Sequence, residues 1–370
     1  MMHDYYILAI NPGSTSTKLG LYKNLEKIYE ETLRHDASEL APFPTIWDQY
    51  EFRKEVILKA LREHPQKPPR LDGVVGRGGL LKPIISGTYE VNDELESDAR
   101  NNYQGEHASN LGAVLARDIA KEYGCPSYMV DPPAVCEYQR LAFYSGHPLI
   151  NRRSIHHALN VHAIARKASK DIGKPYTQTR FIIAHLGGGV TVNAIAGGKV
   201  IDSNDGMGEG PFTPERSGSL PMQQFAELCY SRKYTLKEIR KMITGKGGMV
   251  AYLGTNSAAK VEEAAKNGDT KSAEVYEAMV YQIAKEIGAQ ATVLEGKYDG
   301  IILTGGLAYS DHFCELINSR ISFLGKIMRY PGEDEIMALV EGAFRALNGE
   351  EKAKTYPQLG EEPPKWDFKG

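Results

Sequence analysis

The sequence predicts an α/β protein built from two copies of one domain, and three observations carry that prediction. The chain has 370 residues, long for one domain and comfortable for two with separate cores. Short β-rich runs alternate with long helical patterns, which points to sheets covered by helices. A polar, glycine-turned segment occurs twice, at 7–18 and again half a chain later at 182–193. Each copy reads as strand, tight turn, strand.

In chain order, residues 5–34 read as a meander over 5–10, 18–22 and 27–33, with glycine or asparagine between. Residues 45–64 place Ile46, Tyr50, Val56, Ile57, Ala60 and Leu61 at helical spacing, and Pro65, Pro68 and Pro69 end that helix. A buried strand at 71–75 runs into Gly76-Arg77-Gly78-Gly79. An amphipathic helix over 107–123 gathers Leu111, Val114, Leu115, Ile119 and Tyr123 on one side. A strand at 127–130 then delivers Asp131-Pro132-Pro133.

The break at Ser145-Gly146-His147-Pro148 predicts a domain junction near 145–153, giving a first domain 1–150 and a second 151–335. A helix over 154–172 is expected to start from Ser154 as N-cap, with the second copy following at 181–184. The longest periodic segment is 273–294, where Gly288, Ala289 and Ala291 suit close packing. A buried strand at 299–303 leads into Thr304-Gly305-Gly306, a last helix spans 335–348, and the tail from Pro357 reads as a surface strap.

Composition narrows the function. The net charge is −3, from 44 basic and 47 acidic residues well mixed along the chain, which argues against a nucleic-acid partner. Cys125, Cys136, Cys229 and Cys314 lie far apart with no C-x-x-C pair, as reduced thiols do. Neither a secretory leader nor an apolar run of about 20 residues is visible, so the expectation is a cytoplasmic protein with no membrane partner.

The first turn, with Asn11, Ser14, Ser16 and Lys18, is dense in donors; alone it reads as a polar hairpin or as a phosphate grip. Neither a Walker A loop nor a G-x-G-x-x-G run is present. His185-Leu186-Gly187-Gly188-Gly189 is more specific, because three glycines after a buried strand let phosphate oxygens approach bare N–H groups. Gly305 and Gly306 form a third glycine turn at a strand's carboxyl end, where an adenine or ribose could lie. Arg77 among glycines and Arg216 in Pro214-Glu215-Arg216-Ser217-Gly218 are placed to clamp anions. Asp131, His156, His157 and His185 complete the polar set, and no H-E-x-x-H spacing points to zinc.

Together these residues resemble the acetate and butyrate kinase family of the actin, sugar-kinase and heat-shock-ATPase superfamily. The resemblance rests on the run from Asn11 to Lys18, Gly76-Arg77, Asp131, Ile155-His156, the His185 to Gly189 loop, Glu215-Arg216-Ser217-Gly218 and Thr304-Gly305-Gly306. Gly76-Arg77-Gly78-Gly79-Leu80 is similar to the butyrate-kinase branch; acetate kinases have a longer Gly-His-Arg motif there. Asn160 stands where acetate kinases carry a second histidine.

The resemblance implies two duplicated actin-like (ribonuclease-H-like) domains with an interdomain nucleotide cleft, the first completed by a C-terminal segment of about 336–370. It also implies phosphoryl transfer between ATP and a small carboxylate, butanoate first, with ADP and an acyl phosphate as products. Arg77 would bind the carboxylate or acyl phosphate beside Asp131, while Arg216 and His156 stabilise the phosphoryl group in flight. Asn11, Ser14, Ser16, Lys18, His185, Gly187, Gly188 and Gly189 would hold the β- and γ-phosphates. Mg²⁺ would sit on Asp131 and Glu335, with Glu333 and Asp334 as alternatives in the same acidic run. A homodimer or larger homo-oligomer is implied too. Isobutanoate, propanoate or acetate as acceptor, or an actin-like ATPase, stay open.

Overall fold

The computed structural model describes residues 4–363. They divide into two compact units, 4–136 with 158–160 and 334–362, and 137–157 with 161–333.

The first unit is built on a sheet whose strands are β1 (Tyr6–Pro12), β2 (Ser16–Lys23), β3 (Glu26–Arg34), β4 (Gly73–Arg77), β5 (Thr88–Glu90) and β6 (Ser127–Val130), with Lys354–Thr355 at one edge. From the meander edge the order is β3-β2-β1-β4-β6-β5. The meander is antiparallel, whereas β4 runs parallel to β1, and β6 parallel to β4. Ile7, Leu8, Ala9 and Ile10 are all fully buried, as a strand covered on both faces requires. The helix Asn110–Tyr123 packs on β4, β1 and β6, and the last helix, Glu335–Leu347, packs on β1, β4, β6 and β2.

The second unit opens with a small hairpin, β7 (Tyr144–His147) and β8 (Ile150–Asn151). Its main sheet holds β9 (Arg180–Leu186), β10 (Val190–Ala196), β11 (Lys199–Ser203), β12 (Gly300–Gly305) and β13 (Ile327–Pro331). The order β11-β10-β9-β12-β13 repeats β3-β2-β1-β4-β6 of the first unit, and the strand senses match pair by pair. The doubled segment of the sequence is therefore a doubled α/β topology. The helix Thr270–Val293 covers this sheet, with Met279, Val280, Ile283 and Ile287 buried.

Three expectations change in detail. The division between units falls after Cys136, ahead of the break at Ser145, because the following segment is tied into the second unit: the Gln139 N–H donates to the Ile201 carbonyl (2.9 Å) and the Tyr138 hydroxyl to that of Ser203 (2.8 Å). The helix expected from Ser154 starts at Ala158, after His157 as N-cap. The Gly206 N–H holds the Ile155 carbonyl at 2.9 Å, keeping that stretch out of the helix. Gly288 faces open space, so it serves no close packing, and Ala289 is exposed while Ala291 is buried. The tail is strapped down by bonds from the Gly360 N–H to Pro83 and from the Glu361 N–H to Cys136 (both 3.0 Å), and residues 364–370 lie outside the described part.

Candidate active site

The sequence-predicted residues form two clusters, one in each unit. In the first, parallel strands β1, β4 and β6 end side by side, and Ile10 pairs with Gly76 just as Arg77 pairs with Val130. Asn11, Arg77 and Asp131 are thereby delivered to one edge, beyond the carboxyl ends of the strands. Glu335, the first residue of the last helix, joins them. Its Oε2 accepts from Asn11 Nδ2 at 2.6 Å, and its Oε1 pairs with the Arg77 guanidinium. Arg77 is mostly buried, and its Nε has no partner. That is a donor left for a ligand oxygen.

Asp131 is buried with φ +37°, an uncommon conformation for a non-glycine residue. Its Oδ1 accepts from the Gly87 N–H at 2.6 Å while its own N–H donates to the Gly87 carbonyl at 3.2 Å, so the residue is locked from both sides. The acidic run after Gly332 separates by role. Asp334 caps the last helix through the Met337 N–H (2.9 Å), Glu333 lies 3.3 Å from His185 Nε2, and Glu335 faces Arg77. No group of three or more histidine, cysteine, aspartate or glutamate side chains able to hold a metal occurs among the described residues.

The hairpin turn lies beside Asn11, whose register partner across β2 is Lys18. Lys18 and Ser14 are exposed, and Ser16 is half-buried. The Gly13 N–H closes the turn on the Ser16 carbonyl at 2.8 Å. Beneath it sits the fully buried Arg53, a residue that sequence reasoning missed.

In the second unit, His156 is 2% exposed and neither ring nitrogen has a hydrogen-bond partner. Burial, followed by the influence of His162 and His185, pushes its pKa down to about 3. The ring is thus neutral, with one N–H to donate and one nitrogen to accept. Arg216 donates from its guanidinium to the Gly206 carbonyl, and burial lowers its pKa from the usual arginine range. The turn carrying it is pinned: the Ser217 N–H donates to Ile243 (2.9 Å), and the Gly245 N–H to Glu215 (2.7 Å).

The triple glycine joins β9 to β10, and none of the three adopts a positive φ. A β-carbon on Gly189 would collide with the Arg216 guanidinium, so glycine there lets the arginine lie against the loop. Gly187 and Gly188 are less confined, the nearest atoms to an added β-carbon lying at 3.3 Å (His185 Nε2) and 3.7 Å (Glu215). Thr213, also missed, ties loop to turn: its Oγ1 donates to the Gly188 carbonyl (2.6 Å) and accepts from the Arg216 N–H (3.0 Å). His157 stacks on His185 with centroids 3.8 Å apart and bonds Thr191 Oγ1 at 3.0 Å. Gly305 has φ +89°, and a β-carbon there would collide with the Leu186 backbone, whereas one added at Gly306 would face open space.

The acetokinase family model matches residues 135–329, more than half the chain. This chain belongs to the acetokinase family. It is 51% identical to butyrate kinase 1 of Clostridium acetobutylicum over 95% of this chain and 99% of that one, and 50% identical to butyrate kinase 2 of the same organism with equal coverage. Among solved structures this acetokinase-family chain is similar to Porphyromonas gingivalis acetate kinase, with TM-score 0.75 at 20% identity, covering 92% of this chain and 99% of that one. A propionate kinase from Francisella tularensis gives TM-score 0.69 at 18% identity with the same coverage. At these identities the structures establish the shared fold. No helix among the described residues is long and apolar enough to cross a membrane.

Proposed function

We propose that this protein is a carboxylate kinase that converts butanoate and ATP to butanoyl phosphate and ADP by direct in-line transfer. The observation that carries the reading is Arg77: a mostly buried guanidinium at a strand end, with an unpartnered Nε beside Asn11 and Glu335. Such a group suits a small carboxylate. The relatives named butyrate kinase, at about half identity over nearly the full length, support butanoate as that carboxylate.

In the proposed reaction a butanoate oxygen attacks the γ-phosphorus, the new O–P bond forms, and the bond to the β,γ-bridging oxygen breaks as ADP departs. The nucleophile is already ionised near neutral pH, so no general base is required. Arg77 orients the carboxylate. Arg216 places positive charge, and neutral His156 an N–H, on the oxygens of the phosphoryl group in flight. Asn11, Ser14, Ser16 and Lys18, with His185 and the Gly187 to Gly189 backbone, hold the β- and γ-phosphates, and Gly305 and Gly306 border the nucleoside. Asp131 and Glu335 fit Mg²⁺ as hard carboxylate ligands; with only two of them, the ion would keep waters and nucleotide phosphates as its other ligands and neutralise phosphate charge. The chain works as a homodimer or larger homo-oligomer; exposed Met222, Tyr230 and Leu236 in the second unit support association.

A hydroxamate assay with ATP across butanoate, isobutanoate, propanoate and acetate tests the reading. Butanoate should give the highest kcat/KM, and a clear acetate preference would sink the butanoate assignment. ATP turnover indifferent to every carboxylate would leave an actin-like ATPase instead.

A further inference from the structure

Arg53, in the helix Tyr50–Glu63, is fully buried, and all five of its N–H donors are used. Nε and one terminal nitrogen donate to Gln49 Oε1 (3.0 and 2.9 Å), and that same terminal nitrogen donates to the Ser14 carbonyl (2.9 Å). The other donates to the Ser16 carbonyl (3.1 Å) and Thr17 Oγ1 (3.2 Å). Every acceptor is neutral. Among the described residues no carboxylate forms an ion pair with Arg53, whereas buried charges are ordinarily paired.

The acceptors matter as much as the missing anion. A trans peptide points its C=O and the following N–H in opposite directions. With the Ser14 carbonyl turned inward to Arg53, the Thr15 N–H faces the other way. The Thr15 carbonyl accepts from the His35 N–H at 2.9 Å, which turns the Ser16 N–H away from His35 as well. Arg53 and His35 thus draw the Ser14, Thr15 and Ser16 carbonyls toward the protein and leave the Thr15 and Ser16 N–H groups turned away from them, while the Gly13 N–H closes the turn. A cation behind the turn and two backbone N–H groups turned away from it favour the same ligand, a polyphosphate.

We propose that Arg53 is a positioning residue for the nucleotide phosphates: it sets the peptide orientation of the Gly13 to Ser16 turn and supplies a buried positive charge that bound phosphate neutralises. This rests on the hairpin being the phosphate grip of the proposed kinase. Sequence reading passes over the residue because it is one arginine in an amphipathic helix, and only burial sets it apart.

Two variants of the full chain test this by calorimetric titration with ATP and with adenosine, which lacks phosphates. Arg53→Met removes the guanidinium. Gln49→Glu keeps it and places a neutralising carboxylate at the Oε1 position, so it reads the charge even if Arg53→Met does not fold. ATP affinity should fall about tenfold or more in Arg53→Met and about fivefold in Gln49→Glu, with adenosine affinity within about twofold of wild type in both. ATP affinity unchanged in Gln49→Glu, or parallel losses for ATP and adenosine, would overturn the proposal. A wild-type chain that binds ATP yet makes no acyl hydroxamate would sink the kinase reading and leave the Arg53 result standing. One that binds no ATP would remove both.

Discussion

Glu335 engages Arg77 and Asn11 at once, its two carboxylate oxygens divided between the guanidinium and the Nδ2 donor. The helix that carries Glu335 follows β13 in sequence, yet it packs on β1, β4 and β6 of the first unit. The chain thus returns an acid to the strand ends where Asn11, Arg77 and Asp131 lie. This acid cannot serve only as an ion-pair partner if the kinase reading holds, because Arg77 must then turn to a substrate carboxylate.

Glu335→Gln preserves the shape and the hydrogen bond from Asn11 but removes the charge. Under the proposed mechanism kcat should fall by about 10²-fold, and the Mg²⁺ concentration for half-maximal rate should rise. A Mg²⁺ titration of the hydroxamate rate checks this. An unchanged half-saturation would show that Glu335 serves Arg77 alone. Arg77→Ala should instead raise the KM for butanoate, with ATP binding retained.

His156 yields a pH prediction whose sign follows from its depressed pKa. In the unfolded chain it takes a proton near pH 6.5, and in the folded chain only near about 3. The unfolded state therefore binds the extra proton between those values. Its contribution to stability is complete above pH 6.5 and is lost as the pH falls toward 3. Urea unfolding of the wild type should lose about 2 kcal/mol more between pH 7.5 and 5.0 than that of His156→Gln. The variant should also lower kcat, and the wild-type kcat profile should show no ionisation of His156 between about pH 5 and 9.

Much of the fold was legible because its signals are local. The two hairpins announce themselves by alternating apolar strands around polar or glycine turns, and the matching strand orders follow from that doubling. Arg77 stood out for its glycine neighbours, and one of them, Gly76, is packed directly against the Gly112 backbone. What stayed illegible depends on partners far away in sequence. Ser154 has N-cap chemistry, but the Gly206 N–H, some fifty residues on, captures the Ile155 carbonyl and delays the helix. Arg53 and Thr213 act through backbone carbonyls, and a carbonyl leaves no trace in residue identity.

The contact between Gly76 and Gly112 sets how closely the helix Asn110–Tyr123 rides on β4. A β-carbon on Gly112 would meet the Arg77 carbonyl and Pro12 Cδ, and backbone there cannot move without moving Arg77. Gly112→Ala should cost about 2–3 kcal/mol in urea unfolding and raise the KM for butanoate in the surviving enzyme. Gly288→Ala is the matched control. It lies inside the helix Thr270–Val293 with open space around it, so it should be neutral or stabilising by up to about 1 kcal/mol. Equal losses in both variants would mean that helix packing, and not the approach to Arg77, governs the effect.

Gly188 and Gly189 separate two reasons for glycine in one loop. At Gly189 the Arg216 guanidinium occupies the space of a side chain, so Gly189→Ala must displace the arginine. Its kinetic defect should match that of Arg216→Ala, a loss in kcat of about 10²-fold or more, and the double variant should be no worse than either single one. At Gly188 the nearest neighbour to an added β-carbon is Glu215 at 3.7 Å, so the loop itself tolerates alanine. Gly188→Ala should fold with wild-type stability, and any defect should be confined to a higher KM for ATP, because only a phosphate resting on the backbone would meet the methyl group. A double-variant loss equal to the product of the two single losses would disconnect Gly189 from Arg216. Unchanged ATP kinetics in Gly188→Ala would move the phosphates off this part of the loop and leave Gly189 as a packing residue for the arginine.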